Sequence, residues 1–198
     1  MAKASFVRET VAYAGRARSF AARDWLAYVA WVGLMLGLFV AVSGFLAIGH
    51  AHGVRYPDYV WNIPMGAGVF VLAIAFDTIG HRTAYKEELQ KGEALVHHIT
   101  IFAGVASVVC LCLAYAHRDL MRIPALTFTV LSFVYSLIDE ALHWRRYLVQ
   151  KSDRVECWSH FFIFVGHLTM MLGWWTWFEA GYPGVTETVA ALAVAAGR

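Results

Sequence analysis

Four successive apolar segments of this chain each carry a carboxylate and a histidine four residues apart. On a helix, residues at i and i+4 lie one turn apart on the same face, so each pair can hold a metal ion from one side. Carboxylate and imidazole groups are common ligands of first-row metal ions. The candidate metal ligands are the pairs Asp77 and His81, Glu93 and His97, Asp139 and His143, and Glu156 and His160.

The spacing of the pairs indicates an internal duplication. The first two pairs read Asp-x3-His-x11-Glu-x3-His, and the last two read Asp-x3-His-x12-Glu-x3-His. In each half a tyrosine, Tyr85 or Tyr147, follows the first histidine by four residues. We predict a helical hairpin that occurs twice, over 62–117 and 121–179. Both tyrosines are candidate catalytic residues that would hydrogen-bond a ligand or relay protons; the alternative is that they line the mouth of the site as interfacial aromatic residues.

The composition predicts an integral membrane protein. Of the 198 residues, 60% are hydrophobic and 15% are charged, which is too apolar for an ordinary soluble domain. A hydrocarbon core of about 30 Å is crossed by roughly 20 helical residues. We therefore predict an all-α single membrane domain over 1–198 with five transmembrane helices, and spans two to five form an antiparallel metal-binding bundle. The five spans are 25–49, 62–81, 94–117, 121–144 and 157–179.

The distribution of lysine and arginine predicts the orientation. Twelve of the 16 basic residues fall in the N-terminal tail and in the loops after spans two and four. Such residues are enriched in cytoplasmic segments, so the N-terminus is expected in the cytoplasm and the C-terminus outside. The expected location is a cell membrane, taken to be the bacterial cytoplasmic membrane. The net charge of +2 gives no sign of a nucleic-acid partner.

This topology would gather all four pairs at the cytoplasmic side of the membrane. Spans two and four end there with Asp-x3-His, and spans three and five begin there with Glu-x3-His. From the helical rise per residue, the ligands would form two layers about 6 Å apart, each with two carboxylates and two imidazoles. One layer would hold His81, Glu93, His143 and Glu156, and the other would hold Asp77, His97, Asp139 and His160.

Three further residues are candidate metal ligands. His98 adjoins His97 in the chain. Glu140 lies three residues before His143, an E-x-x-H spacing that also places both side chains on one helix face. His167 lies two turns beyond the histidine of the fourth pair, on the same face.

Each pair also has a purely structural interpretation. A single intramembrane histidine or aspartate often hydrogen-bonds a neighbouring helix. Glu93 and Glu156 can be solvated at the interface or paired with Lys91 or Arg154. Asp139 or Glu140 can pair with Arg145 or Arg146, whose long side chains can extend toward them. Eight ionisable groups inside a membrane, however, would each cost a few kcal/mol unless a bound cation offset the cost. This favours metal binding.

The ligand stretches resemble those of ferritin-like di-iron proteins, in which carboxylate and histidine side chains project into a four-helix bundle. The resemblance is one of motif, because the spacing here is mainly x3 where the family has x2, and only Glu140 with His143 matches its E-x-x-H. The histidine content is similar to that of His-rich membrane hydroxylases and desaturases, although their H-x-x-H-H boxes are absent. Oxygen and imidazole ligands without thiolate suit iron, zinc or manganese. We expect two such ions, with iron as the leading candidate.

The expected function is that of a membrane-bound non-haem dinuclear metal enzyme, di-iron in the leading interpretation. It would oxidise or hydroxylate a lipophilic substrate from the cytoplasmic leaflet, through an apolar cavity bordered by His167 and the middle of spans three to five. The expected partners are the lipid bilayer, this substrate and an electron-donor protein. The alternatives are a zinc-dependent intramembrane hydrolase, a non-catalytic metal transport or storage protein, and a b-type haem protein with His97 and His160 as facing ligands.

The remaining segments are expected to be architectural. Residues 1–23 form a cytoplasmic or interfacial segment, and 180–198 form an external tail. Span one carries small residues at every fourth position over 33–41, which permits close packing against the core or a homo-oligomer through this span. The aromatic residues near the end of span five are expected to form an outer interfacial belt. They are Trp174, Trp175, Trp177, Phe178 and Tyr182.

Overall fold

The computed structural model describes residues 5–85, 93–150 and 152–196. It is 87% helical, which confirms the all-α prediction. Single turns of 3-10 helix precede the second and third α-helices. The described residues form seven α-helices: α1 (Phe6–Gly15), α2 (Ala22–Ala51), α3 (Asn62–Arg82), α4 (Ala94–Leu113), α5 (Arg118–Gln150), α6 (Arg154–Glu179) and α7 (Val185–Ala196).

Five of these helices, α2 to α6, are long and apolar enough to cross a membrane, as predicted. α5 continues to Gln150, past the predicted end of its span at residue 144. This extension keeps Arg146, which the sequence assigned to a loop, on the helix that carries three candidate ligands. Five of the basic residues used to predict the orientation lie outside the described residues: Lys3, Lys86, Lys91, Lys151 and Arg198.

Two helix pairs position the candidate ligands. α3 packs along α6, α4 packs along α5, and the contacts between α5 and α6 are fewer. Where α3 crosses α6, the two backbones touch. A Cβ atom on Gly66 would lie 2.5 Å from the backbone nitrogen of Met170, and one on Gly166 would lie 2.8 Å from the carbonyl oxygen of Gly66. Glycine has no Cβ atom, and only glycine fits at this separation. The two helices can therefore approach closely enough for their ligand side chains to meet.

The aromatic residues at the end of α6 form a buried core, so the predicted aromatic belt is wrong for most of them. Trp174, Trp177 and Phe178 are 4%, 5% and 0% exposed. Their spacing of three and four residues places them on one helix face, and that face packs against the other helices. The Tyr182 hydroxyl donates a hydrogen bond of 2.5 Å to the carbonyl oxygen of Leu111, which ties this core to the end of α4.

The N-terminal helix α1 packs against α3 and α6. Tyr13 of α1 is 2% exposed. A Cβ atom on Gly80 would lie only 2.1 Å from the Tyr13 hydroxyl oxygen, so α1 packs directly on this glycine of α3. Arg16 donates a hydrogen bond of 2.7 Å to Asp153, the residue immediately before α6. The segment that the sequence predicts to lie along the membrane surface is thus attached to the helix ends that carry the ligands.

The small-residue stripe of span one has no packing partner within the described chain. A Cβ atom added at Gly33 or Gly37 would meet nothing within 4 Å among the described residues. Neighbouring side chains of α2 are also exposed, with Leu34 at 48% and Val40 at 58%. The stripe therefore does not clamp the core, and the homo-oligomer through span one stays a prediction.

The orientation gives a direct prediction. Because twelve of the 16 basic residues fall on one side of the five spans, a reporter protein fused after Arg198 should be active only outside the cytoplasm. The measurement is the paired activity of a reporter that works only outside the cell and of one that works only in the cytoplasm. Activity of the cytoplasmic reporter alone would reverse the assigned orientation.

Candidate metal centre

All eight paired residues meet in one cluster where α3, α4, α5 and α6 converge. α3 and α5 contribute Asp-x3-His from their C-terminal halves, and α4 and α6 contribute histidines from their first two turns. The cluster is buried, and the side chains of His143 and Glu156 are fully enclosed, at 0% exposure.

The four histidines lie at one level, which corrects the prediction of two mixed layers. Each places one ligand atom within 4.8 Å of the others, and the Nε2 atoms of His81 and His97 are 3.0 Å apart. The reason is side-chain direction, because every helical Cα–Cβ bond tilts toward the helix N-terminus. His81 and His143 therefore lean back toward the N-termini of α3 and α5. The histidines of α4 and α6 lean toward the starts of their helices, and the four imidazoles meet between.

One group of donor atoms, here called the first donor set, belongs to the α3–α6 pair. It consists of Asp77, His81 and His160. The Asp77 Oδ1 atom lies 2.6 Å from His160 Nε2 and 3.2 Å from His81 Nε2. A single carboxylate oxygen is thus adjacent to a nitrogen from each of two imidazoles.

A second donor set belongs to the α4–α5 pair and consists of Glu93, His97, Asp139 and His143, whose ligand atoms lie within 4.8 Å of one another. His143 Nε2 is 3.1 Å from Glu93 Oε1 and 3.6 Å from Asp139 Oδ1. His97 Nδ1 is 3.0 Å from the same Asp139 oxygen. Each tightly packed helix pair therefore carries its own donor set.

Most of these donor atoms are buried and have no hydrogen-bond partner in the described part of the chain. They lie close to one another without the angles of a hydrogen bond. Two ligands of one ion, each at about 2.1 Å, are roughly 3.0–3.4 Å apart, so the separations fit atoms that converge on shared cations. The unpartnered atoms of the two sets are Asp77 Oδ1, Glu93 Oε1, Asp139 Oδ1, His143 Nε2 and His160 Nε2.

Arg146 belongs to the cluster, but its partners are Glu93 and Glu156 where the sequence suggested Asp139 or Glu140. Its side chain is 5% exposed and donates hydrogen bonds to Glu156 Oε1, at 2.7 Å, and to Glu93 Oε2. Burial alone would raise the pKa of Glu93, but the adjacent imidazole of His143 and the guanidinium of Arg146 lower it to about 2. Glu156 also contacts His143 Nδ1 at 2.5 Å and lies outside both donor sets. The signal in the sequence was the spacing, because Arg146 follows His143 by three residues on a helix.

The three additional candidate ligands differ in position. Glu140 lies at the edge of the cluster, with Oε1 4.0 Å from His160 Nδ1. His98 is exposed and belongs neither to the four-histidine cluster nor to the second donor set. His167 is buried away from the cluster, where its ring stacks on Phe133 with the ring centroids 4.5 Å apart.

The two candidate catalytic tyrosines make other contacts. The Tyr85 hydroxyl donates a hydrogen bond of 2.9 Å to Asp153, and the Arg146 guanidinium lies 5.2 Å from its ring centroid. Burial raises the pKa of Tyr85 to about 12, so the hydroxyl stays protonated as a donor. The Tyr147 ring packs edge-on against Trp144. Tyr85 therefore positions a loop residue and Arg146 at the mouth of the cluster.

An apolar cavity of about 290 Å³ lies between α1, α3 and α6. Its position differs from the prediction, which placed a cavity beside His167. Phe76 and Ser159, which line it, directly precede Asp77 and His160 in the chain. The cavity therefore adjoins the helix segments that carry the first donor set.

Comparison with known proteins adds no family to these observations. No protein-family model, curated protein or solved structure matches the chain. The resemblance to ferritin-like di-iron proteins is thus limited to the ligand motif. In the described chain, none of the three cysteines belongs to the four-histidine cluster or to the second donor set. The candidate ligand atoms are therefore carboxylate oxygen and imidazole nitrogen.

Proposed function

We propose that this chain is a membrane-bound non-haem metal enzyme that oxidises or hydroxylates a lipophilic substrate. Its centre would hold two first-row metal ions, with iron as the leading metal. The observation that carries the proposal is the convergence of buried donor atoms that have no hydrogen-bond partner in the described residues. An unpartnered buried polar atom is costly, and a cation at each donor set would remove that cost.

The charges of the cluster support two cations. The carboxylates of the four pairs carry four negative charges, and Arg146 offsets one of them. The remaining negative charge, buried in a membrane-spanning region, is within what two divalent ions can compensate. Each donor set also includes at least one carboxylate and one imidazole, a combination that suits iron, zinc or manganese.

The packing supports a four-helix bundle made from a duplicated hairpin. In the duplication, α3 corresponds to α5 and α4 corresponds to α6. The α3–α6 pair then corresponds to the α5–α4 pair, and these are the pairs with the most extensive contacts. Asp77, His81 and His160 of the first donor set correspond in the same way to Asp139, His143 and His97 of the second. We propose that the two halves enclose the metal centre as an antiparallel bundle.

The apolar cavity supports a lipophilic substrate. Side chains such as Leu72, Phe76, Trp158 and Phe162 line it, and a pocket of this composition favours a hydrocarbon group over a charged one. The substrate would enter from the bilayer on the side of the first donor set. We place this side at the cytoplasmic leaflet of a bacterial cytoplasmic membrane, and an electron-donor protein would supply electrons from the cytoplasm.

A metal analysis with an oxygen test decides between the proposed classes. Gently purified protein should contain about two first-row metal ions per chain. The reduced, iron-loaded protein should change its optical spectrum when oxygen is added. Asp139→Ala should lower the metal content because it removes a carboxylate of the second set, whereas His98→Ala, at an exposed position, should not. Wild-type protein without bound metal would exclude this function.

A zinc-dependent hydrolase is the second candidate, because the first donor set offers three side chains and catalytic zinc has three protein ligands plus an open position. Tightly held zinc and no reaction of the iron-loaded protein with oxygen would favour it. Bound metal with no reaction of either kind would favour transport or storage. The haem alternative lacks support, because the imidazoles of His97 and His160 are not separated by an open space. Each packs against His81 and His143, with ring centroids no more than 5.9 Å apart.

A further inference from the structure

We infer that His97 is a bridging ligand, with one ring nitrogen on each of the two metal ions. The inference rests on the proposed metal centre and adds to it a specific connection between the two donor sets. It follows from the position of the His97 ring, which lies where the α4–α5 pair meets the α3–α6 pair.

Both nitrogens of His97 face candidate ligand atoms at the separation expected within one coordination sphere. Nδ1 lies 3.0 Å from Asp139 Oδ1, a member of the second donor set. Nε2 lies 3.0 Å from His81 Nε2, a member of the first donor set. The two nitrogens are on opposite sides of a rigid ring, so a single hydrogen-bonding partner does not account for both contacts.

The other three histidines of the cluster do not combine two such contacts. His143 offers Nε2 to the second set, but its Nδ1 is taken by Glu156 at 2.5 Å. His160 offers Nε2 to Asp77, but its Nδ1 is 3.6 Å from Asp139 Oδ2, beyond the roughly 3.0–3.4 Å expected between two ligands of one ion. The Nδ1 atom of His81 is buried without a hydrogen-bond partner in the described residues.

The duplication explains why one histidine can take this role. His160 and His97 are equivalent positions of the two halves, yet they approach their aspartates with different nitrogens. His160 uses Nε2 toward Asp77, whereas His97 uses Nδ1 toward Asp139. The His97 Nε2 atom is thereby left to reach the first donor set, and the repeat becomes asymmetric at this ring.

The bridge has a defined chemistry. A neutral imidazole carries one N–H proton, so a second ion that binds the other nitrogen displaces that proton to solvent and leaves an imidazolate. The ions would be about 6 Å apart across the ring, farther than the ~3.5–4 Å of dinuclear sites that share an oxygen atom. They would interact through the ring while each keeps its own donor set.

Copper(II) is a suitable probe because each ion carries one unpaired electron. Metal-free protein is titrated with copper(II), the bound copper is counted by elemental analysis, and electron paramagnetic resonance is recorded at low temperature. With two ions bound, an imidazolate bridge couples the spins, and the signal should fall well below that of two independent ions. Wild-type protein alone gives this result, so it does not depend on whether a variant folds.

The matched variants are His97→Gly and His98→Gly, which remove neighbouring histidines of α4. His97→Gly should lose one ion or bind two uncoupled ions, and added imidazole should restore the coupling. His98→Gly should behave as wild type. Two ions with full signal in wild type, or unchanged coupling in His97→Gly, would overturn the bridge and leave the two-ion centre in place. A single bound ion in wild type would overturn both the bridge and the second ion of the proposed centre. Absence of any bound metal would overturn the proposed function as well.

Discussion

Arg146→Ala is expected to lower the free energy of unfolding of the metal-free protein by about 3–5 kcal/mol, the range for removal of one partner from a buried ion pair. The guanidinium is 5% exposed and donates to two carboxylates, those of Glu93 and Glu156. Its loss leaves both buried carboxylates without their arginine partner. The substitution should therefore act on the protein before any metal is added.

The metal-loaded protein should lose less stability, because bound cations offset part of the same negative charge. The measurement is denaturant unfolding in detergent of the metal-free and metal-loaded forms. Arg145→Ala is the matched control, since Arg145 is the exposed neighbour on the same helix, and it should change stability by no more than about 0.5 kcal/mol. Equal, small losses in both variants would mean that Glu93 and Glu156 do not depend on the guanidinium.

The features that the sequence predicts well are local ones. Apolar runs of sufficient length give the five helices, because hydropathy is a property of each segment alone. The i, i+4 spacing of the carboxylates and histidines brings each pair to one helix face, because that spacing depends only on helical geometry. Convergence of the four pairs then follows from the alternating direction of successive spans.

Side-chain direction explains the error in the arrangement of the ligands. The predicted layers counted the rise of Cα atoms and neglected the tilt of side chains toward the helix N-terminus. His81 and His97, assigned to different layers, have nitrogens 3.0 Å apart. The partners of Arg146 were predicted wrongly because the helix was expected to end at residue 144. Arg146 was therefore treated as a loop cation that could pair with Asp139 or Glu140, whereas it lies on the helix and pairs with Glu93 and Glu156.

A histidine that is close in sequence to a ligand, or on the same helix face, is not necessarily a ligand itself. His98 is next to His97, but successive helical residues point about 100° apart, and His98 is exposed. His167 shares a face with His160 but lies about 10 Å farther along α6, where it packs on Phe133. Both residues are histidines like the ligands, so only the three-dimensional structure distinguishes them from the histidines that belong to the cluster.

Gly166→Leu is expected to remove the metal ion of the first donor set and to leave the ion of the second. A Cβ atom at Gly166 would lie 2.8 Å from the carbonyl oxygen of Gly66 and 2.8 Å from the backbone nitrogen of Phe70. Backbone atoms of a helix cannot turn aside as a flexible side chain can, so α3 and α6 must separate. This separation pulls Asp77 away from His160, now 2.6 Å apart.

The second donor set lies on α4, on Glu93 directly before it and on α5, and this substitution does not touch the packing of α4 against α5. Metal content should therefore fall from about two ions to about one, with a loss of stability of about 1–3 kcal/mol from overpacking. Gly104→Leu in α4 is the matched control, because a Cβ atom there would meet nothing within 4 Å among the described residues. Elemental analysis of both folded variants is the test. If Gly166→Leu keeps both ions, or loses both while folded, the donor sets do not follow the helix pairs, and the assignment of one ion to each pair is wrong.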